Sequence, residues 1–292
     1  MWWVQFCDED KTQHSVIHFS VLQYRRYGPV SELSVLVPWG EIRGKVRGPD
    51  HGHPVLCLHG WADNCGTFDT LIPLLPKECR FVAVDLAGHG LSSHRPPGVC
   101  YSFPAYVADL RRVVDALQLK TFSIIGHSMG ECGFTSGLFS LYPEMVDALV
   151  LLDSFGLLPT DSVRSILRPH ITKYDKKRVY TFEKAVERLL AANPTLSEQS
   201  VHILLERGLI QVEGGFVFSR DLRVNFVKAF DSAASAVKVS FHLCRFQHPV
   251  VTVPGDHHAH LNTPEVVASF VSNFLQAKTE SFKGSSSTVC TK

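Results

Sequence analysis

Residues 121–132 read TFSIIGHSMGEC, and this stretch decides the fold. An apolar run ends in Gly126-His127-Ser128-Met129-Gly130, after which small residues compatible with a helix follow. The pattern G-x-S-x-G between a strand and a helix is typical of a very tight turn that holds its serine in an unfavourable backbone region. Glycines flank the turn because neighbouring backbone must pass close to it. The pattern predicts that Ser128 is a nucleophile beside a helix N-terminus, which favours negative charge.

The composition favours a globular protein without nucleic-acid or membrane partners. The chain has 292 residues, of which 45% are hydrophobic, and its net charge is +1. This length suits one α/β domain with an inserted piece, or two domains. The small net charge gives no electrostatic basis for binding nucleic acid. No apolar run reaches the ~18 residues that would predict a transmembrane segment.

The cysteines and the N-terminus bear on the expected location. Eight cysteines without a C-x-x-C pair indicate reduced thiols, so we expect an intracellular, cytoplasmic protein. The N-terminal residues MWWVQFCDEDK include acidic residues, which are not typical of a signal peptide. A peroxisomal or vesicle-associated location is an alternative for which the sequence carries no clear signal.

Apolar runs alternate with amphipathic segments along much of the chain. Residues 55–58, 81–84 and 148–152 predict strands buried on both faces, and residues 68–75 and 106–117 predict helices. Such alternation favours an α/β fold with a mostly parallel sheet. Ligands bind beyond the carboxyl ends of parallel strands. Three polar residues follow those ends: His59, Ser128 and Asp153.

The remaining segments divide the chain into a core and three additions. Residues 30–153 and 237–277 carry the core pattern. Residues 154–236 read as short helices and a hairpin, which we interpret as a helical lid over the strand ends. The hydrophobic residues of segment 1–29 show no clear period of 2 or 3.6, and we interpret this segment as an atypical N-terminal extension of uncertain structure. The polar, serine-rich residues 278–292 predict a disordered tail.

A serine hydroxyl needs a base to take its proton, and this base is usually a histidine held by a carboxylate. The loop after the last predicted strand contains three histidines: His257, His258 and His260. We expect His257, which directly follows a Pro-Gly-Asp turn, to be the base, with the other two as alternatives. The loop offers no metal-ligand spacing, and we expect no cofactor.

Acyl transfer also needs two N–H donors that bind the oxygen of the tetrahedral intermediate. Met129 follows the nucleophile and supplies one donor by its position. Trp61 follows His59-Gly60 and is positioned to supply the other. Loss of one such donor costs ~2.7–4 kcal/mol of transition-state stabilisation in a serine protease, so these backbone positions matter as much as the acid.

Four motifs together resemble the alpha/beta-hydrolase superfamily: His59-Gly60-Trp61, Asp85-x-x-Gly88-His89-Gly90-x-Ser92, Gly126-His127-Ser128-Met129-Gly130 and Pro254-Gly255-x-His257. The segments HGWADNCGTFDTLIPLLP and RGLIQVEGGFVFSRD are similar to the vertebrate serine hydrolase-like proteins. The resemblance runs from about residue 31 to 277. It implies an eight-stranded sheet, a helical lid, and hydrolysis of an ester, amide or similar bond through an acyl-serine.

The chain departs from that family before its last strand. Family members carry a further strand and helix there, and many superfamily members place the triad acid after that strand. We therefore expect this sheet to lack one late strand-helix unit. Asp153 is at a position where some superfamily members carry the acid, and we expect it to be the acid here. Asp256 is too close to His257 in sequence to orient it easily, and Asp85 is expected to brace its own turn.

The sequence thus favours a serine hydrolase of carboxylesterase type that acts on a small, partly hydrophobic acyl substrate. The alternative is a non-catalytic binding protein with this fold, or a shortened inactive isoform, because an interior strand is expected to be missing. The oligomeric state is not indicated by the sequence.

Overall fold

The computed structural model describes residues 2–7, 30–129, 138, 141–153, 177–226 and 250–286. These residues contain ten strands: β1 (Trp2–Cys7), β2 (Ser31–Val37), β3 (Gly40–Arg47), β4 (His53–Leu58), β5 (Cys79–Val84), β6 (Phe122–His127), β7 (Val146–Leu152), β8 (Leu209–Val212), β9 (Gly215–Phe218) and β10 (Val250–Pro254). Eight of them form one sheet in the order β10-β1-β7-β6-β4-β5-β3-β2, and β8 and β9 form a separate hairpin. In the large sheet, β3 runs antiparallel to both of its neighbours, β2 and β5, and all the other neighbouring strands pair in parallel. The predicted α/β fold with a mostly parallel sheet is confirmed.

Helices cover both faces of the sheet. The described helices are α1 (Phe103–Ala116), α2 (Phe182–Ala192), α3 (Glu198–Gly208), α4 (Ala259–Asn262) and α5 (Glu265–Ser286). Apolar side chains of α1 pack in one core cluster with Leu56 and Ile124. Those of α5 pack in a second cluster with Cys57 and Ile125, the next residues along the same two strands. Successive side chains of a strand point to opposite faces, so β4 and β6 are buried on both sides, as their apolar runs predicted.

Two segments differ from the sequence-based expectation. Residues 68–75 were expected to form a helix, but two short 3₁₀ turns, Cys65–Phe68 and Ile72–Leu74, occupy this region. Pro73 lacks the N–H that a continuous helix would need there. The expected disordered tail began at residue 278, yet α5 continues to Ser286. Its last turns contain Gln, Ala, Lys and Glu, which favour helix.

The N-terminal strand lies inside the sheet. The sequence analysis assigned no element to residues 1–29, whereas β1 pairs in parallel with both β7 and β10. Trp3 is opposite Leu151 on one side and Val250 on the other. The position between β7 and the last strand, where the sequence suggested a missing strand, is therefore filled from the N-terminus. Residues 8–29, which follow β1, lie outside the described part of the chain.

Helices α2 and α3 and the β8–β9 hairpin form a unit within residues 154–236, where the sequence predicted short helices and a hairpin; residues 154–176 and 227–236 of that segment lie outside the described part of the chain. Leu196, Val201, Leu204 and Leu205 form its apolar core together with Leu261 of α4. The unit is fastened to the sheet by Arg207, whose Nε donates to Asp85 Oδ2 at 2.9 Å. Asp85 also accepts the N–H groups of Cys65 and Leu91, so it braces its turn, as expected.

Candidate active site

Ser128 occupies the tight turn between β6 and the helical backbone that begins at Met129. Its φ is +51°, in the left-handed region that L-residues other than glycine rarely adopt. Such a conformation costs ~1–3 kcal/mol and persists only where the surrounding structure imposes it. The Ser128 N–H donates to Leu152 O at 3.1 Å. This bond fixes the serine at the carboxyl end of the sheet, next to the end of β7.

Gly60 brings a second loop against this turn. A Cβ placed on Gly60 would lie 2.9 Å from His127 Nδ1, closer than real Cβ atoms approach, and 3.1 Å from Ser128 Cβ, which is tighter than most real contacts. Only glycine therefore allows the backbone of residues 59–61 to lie so close to the serine. The segment that precedes the Trp61 N–H is thus held beside Ser128, as the His-Gly-Trp motif suggested.

His59 holds this loop in place from within the core. Its Nε2 accepts the N–H of Leu86 at 3.0 Å, so its Nδ1 carries the proton and donates to Gly60 O at 2.7 Å. The ring is completely buried, and burial lowers its pKa below the usual range. His59 is therefore a neutral structural residue, and its tautomer is set by the two backbone groups it joins.

His257 and Asp153 lie together across the carboxyl edge of the sheet. His257 comes from the loop after β10, and its Nδ1 is hydrogen bonded to Asp153 Oδ2. The Asp153 side chain is 7% exposed, whereas that of His257 is 47% exposed. Asp153 follows β7 with a φ of +47°. The carboxylate is thus fixed and buried, and the imidazole it holds faces outward, where a substrate can reach it.

The two alternative histidines have different partners. His260 is buried, and its Nε2 is 2.9 Å from Thr67 Oγ1. His258 Nε2 is 3.3 Å from Asp63 Oδ2. Burial lowers the pKa of His258, but the charge and hydrogen bond of Asp63, together with the charges of Asp256 and Asp153, raise the pKa above its usual value. Of the three histidines of the loop, His257 is the one held by Asp153.

His127 links the nucleophile turn to the histidine loop, a role that the sequence analysis did not assign. Its Nε2 is 2.8 Å from the carbonyl oxygen of His257 and must donate, because a carbonyl only accepts. The ring is buried, and this burial keeps its pKa well below the usual range. The residue before Ser128 therefore positions the backbone of His257. The motif G-x-S-x-G allows any residue at the position of His127, so the only sequence signal for this role was that His127 directly precedes Ser128.

Among the described residues, Ser128 and His257 are not joined by a hydrogen bond. Hydroxyl–imidazole bonds in active sites are often long or poorly aligned until substrate binds. Met129 is the first helical residue after Ser128. Trp61 lies in the loop that Gly60 brings to the serine, and its indole Nε1 donates to Val224 O at 3.3 Å. The five residues singled out from sequence thus fall on four segments that follow β4, β6, β7 and β10 at one edge of the sheet: Trp61, Ser128, Met129, Asp153 and His257.

A cavity of about 700 Å³ lies between the loop after β4 and the α2–α3 unit. Trp61, Asn64, Tyr180, Leu204, Phe218 and Arg220 are among its lining residues. Ser128, Asp153 and His257 are not among its described lining residues, and Trp61 is the lining residue that belongs to the loop beside Ser128. Within the described ranges, no cluster of histidine, cysteine or carboxylate side chains has the arrangement of a metal site.

Comparisons with known proteins agree with this architecture. Residues 53–196 match the alpha/beta hydrolase fold family. The serine hydrolase-like protein of Danio rerio is 50% identical over 307 aligned residues, which cover 90% of this chain and 93% of that protein. The 2-(acetamidomethylene)succinate hydrolase of Mesorhizobium japonicum is 27% identical, covering 84% of this chain and 96% of that enzyme. The crystal structure of a hypothetical protein from Pseudomonas aeruginosa PAO1 has a TM-score of 0.71 and 29% identity, covering 84% of this chain and 99% of that chain.

The mostly parallel sheet, together with the family match and these relatives, defines a hydrolase of the alpha/beta-hydrolase class. Within that class, the chain belongs to the serine hydrolase-like proteins, the family it resembles by its motifs. At least one relative, the Mesorhizobium japonicum enzyme, acts on a small molecule. No helix in the described part of the chain has the length and apolar character to cross a bilayer.

Proposed function

We propose that this chain is a serine hydrolase that cleaves an ester or similar acyl bond through an acyl-serine intermediate. The observation that carries the proposal is the hydrogen bond between His257 Nδ1 and Asp153, located at the sheet edge where Ser128 adopts its left-handed φ. A carboxylate on Nδ1 leaves Nε2 free to accept a proton, which is the arrangement a serine nucleophile needs.

In the proposed reaction, Ser128 Oγ attacks the acyl carbon while His257 Nε2 takes the hydroxyl proton. Asp153 holds the Nδ1–H of His257 and stabilises the imidazolium that forms. His257 then gives the proton to the departing alcohol or similar group, and the acyl-serine remains. A water molecule, deprotonated by His257, then attacks the acyl carbon, and His257 returns the proton to Ser128 Oγ as the bond to the acyl group breaks and the acid is released. These steps use no metal or cofactor.

The N–H groups of Trp61 and Met129 are proposed to bind the negatively charged oxygen of both tetrahedral intermediates. Gly60, which brings the Trp61 loop within van der Waals distance of Ser128, supports this assignment. Met129 supports it through its position at the start of a helix, where backbone N–H groups have no intrahelical partner. Two such donors in a preorganised site stabilise the transition state more than the ground state.

The α2–α3 unit with its hairpin is proposed to act as the lid. It lies over the cavity next to Trp61, and it contributes the apolar side chains of Leu189, Leu204, Leu205 and Phe218 to the cavity lining. A lining of this kind favours a small, partly hydrophobic acyl substrate. The Mesorhizobium relative, whose substrate is a succinate derivative, is consistent with a small molecule of this size.

Hydrolysis of p-nitrophenyl esters with acyl chains of increasing length tests the proposal. The wild-type protein should release p-nitrophenol, and Ser128→Ala and His257→Ala should each lose nearly all of this activity. His51→Ala is the matched control, because His51 is an exposed histidine in a remote turn. Equal activity of Ser128→Ala and wild type in cooperatively folded protein would contradict the proposal.

A further inference from the structure

Arg220 is an unusual side chain on the cavity wall. It follows the β8–β9 hairpin, lines the cavity, and is partly buried. Its guanidinium Cζ lies 4.9 Å from the centroid of the Trp61 ring. Because the Trp61 indole is itself fixed by its bond to Val224 O, this stacking holds the guanidinium at a defined place beside the proposed oxyanion loop.

Arg220 differs from the arginines near it in having no acidic partner. Arg207 pairs with Asp85 and Glu32, and Arg223 pairs with Asp221. In the described part of the chain, no carboxylate oxygen lies within 4 Å of Arg220, and no hydrogen bond satisfies its five N–H donors.

Burial of an unpaired guanidinium is unfavourable, and its pKa reflects this. Burial lowers the pKa of Arg220, the more distant charge of Asp63 counteracts this in part, and Arg188 adds to the lowering. A desolvated charge without a partner costs free energy unless a ligand supplies one. Such a group on the wall of a cavity is therefore typical of a binding site for an anion.

The other charged groups of the cavity do not neutralise Arg220. Lys184 is paired with Glu187 at 2.6 Å, so these two cancel. Asp63 is held by His258. Arg188, stacked on the Tyr180 ring at 5.7 Å, adds a second positive charge. The described lining thus carries a net positive charge with two guanidinium groups.

We propose that Arg220 binds a carboxylate on the acyl part of the substrate, so that the preferred substrates are monoesters of short dicarboxylic acids. This inference rests on the proposed function, because it places the carboxylate in the cavity while the ester carbonyl occupies the oxyanion site beside Trp61. The planar fork of a guanidinium donates two parallel hydrogen bonds to a carboxylate. Apolar cavity residues such as Leu204 and Phe218 then contact the methylene groups between the two carbonyl carbons.

The first test compares two p-nitrophenyl esters, one of glutaric acid with a free carboxylate and one of neutral butyric acid. Arg220→Gln should lower kcat/KM for the glutarate ester by roughly 10- to 100-fold, as expected for a lost charge-assisted pair. The same variant should change kcat/KM for the butyrate ester less than about threefold. Arg220→Lys should recover only part of the loss, because it keeps the charge without the fork.

Lys120→Gln is the matched control, since it removes one exposed positive charge outside the cavity and should affect both esters equally. Equal losses on both esters in Arg220→Gln, or no loss on either, would overturn the proposal.

The second test measures binding and does not depend on turnover. Isothermal titration of the Ser128→Ala protein with monomethyl glutarate should show saturable binding, and the Ser128→Ala/Arg220→Gln protein should show none. Inorganic phosphate is a different oxyanion that can also accept hydrogen bonds from the Arg220 guanidinium, and it should bind more weakly than monomethyl glutarate. Tighter binding of phosphate than of monomethyl glutarate would overturn the assignment to a carboxylate. If wild type hydrolyses no ester but the titration succeeds, the proposed function fails while the anion site stands.

Discussion

Asp153 and His257, which are 104 positions apart in the chain, share a hydrogen bond at the carboxyl edge of the sheet. The carboxylate is buried and the imidazole is half-exposed. This relationship joins β7 to the loop after β10, although β1 from the N-terminus lies between those two strands in the sheet. The acid-base pair of the proposed mechanism therefore depends on three distant parts of the sequence.

Replacement of Asp153 by Asn should remove the carboxylate while keeping its size. Without the negative charge, His257 loses the partner that fixes its tautomer and stabilises its protonated form, and the same change in a serine protease lowers kcat about 10⁴-fold. We expect a loss of two to four orders of magnitude in kcat, measured on a p-nitrophenyl ester, with a thermal midpoint close to wild type. Activity within threefold of wild type would show that His257 does not need Asp153.

Replacement of Gly60 by Ala should disturb the active site without adding charge or polarity. The new Cβ would lie 2.9 Å from His127 Nδ1 and 3.1 Å from Ser128 Cβ, so we expect the Trp61 loop and the serine turn to shift apart by a few tenths of an ångström. Loss of one oxyanion donor lowers kcat by about 10²–10³, and we expect a comparable fall. Gly98→Ala is the control: Gly98 also has a positive φ but has open space around it, so its substitution should lower stability slightly and leave kcat unchanged.

Four buried histidines should make the fold sensitive to acid. Burial lowers the pKa of His59, His89, His127 and His260, so these rings are neutral in the folded protein. In the unfolded chain they have a pKa near 6.5, so below about pH 6.5 the unfolded state binds more protons and the free energy of unfolding falls. Each such proton contributes a slope of about 1.4 kcal/mol per pH unit. His258, whose pKa is raised, acts in the opposite direction: its contribution is present below about pH 6.5 and is lost as pH rises through its folded pKa.

Urea unfolding between pH 5 and 7.5 measures this slope. His89→Asn should reduce the slope by about one proton, because asparagine does not bind a proton in this pH range. The variant should still fold, since the Asn amide can replace Nδ1, which donates to Ala87 O, and the buried Nε2, which has no hydrogen-bond partner, is removed. A slope of zero below pH 6.5, or an unchanged slope in His89→Asn, would contradict the assignment of neutral rings.

Removal of residues 1–29 should destabilise the sheet, because β1 pairs with strands on both sides. Each buried backbone group left without a partner costs ~1–3 kcal/mol, so we expect the truncated protein to lose cooperative unfolding and esterase activity together. A chain shortened by residues 287–292 is the control and should behave as wild type. If the protein without residues 1–29 melts cooperatively at the wild-type temperature, the N-terminal strand is not part of the folded sheet.

The sequence predicted the features that local patterns encode. Apolar runs identified β4, β5 and β7, and G-x-S-x-G located the turn at Ser128, whose backbone was expected in an unfavourable region and has a left-handed φ. The choice of His257 over its two neighbours relied on its distance from the Pro-Gly-Asp turn. In the structure His257 contacts Asp153, whereas His258 and His260 contact Asp63 and Thr67, and the role of His257 as the base stays a prediction.

Features that depend on distant residues were not predictable in this way. No local signal showed that the N-terminal strand enters the sheet, since the pairing of a strand depends on which other strands lie beside it in the folded chain. The pairing of Asp63 with His258 likewise joins two loops that are far apart in sequence. Arg220 is inconspicuous in the sequence, because its lack of a partner becomes visible only when Arg207 and Arg223 are seen with theirs.

The most direct test of the central claim is labelling of the folded, purified protein with a fluorophosphonate, which reacts covalently with activated serines. We expect wild type to be labelled at one site, Ser128→Ala to be unlabelled, and His257→Ala to be labelled far more slowly, with the site assigned by peptide mass spectrometry. A protein that unfolds cooperatively yet takes up no label at Ser128 would contradict the account, because its serine would then not be an activated nucleophile.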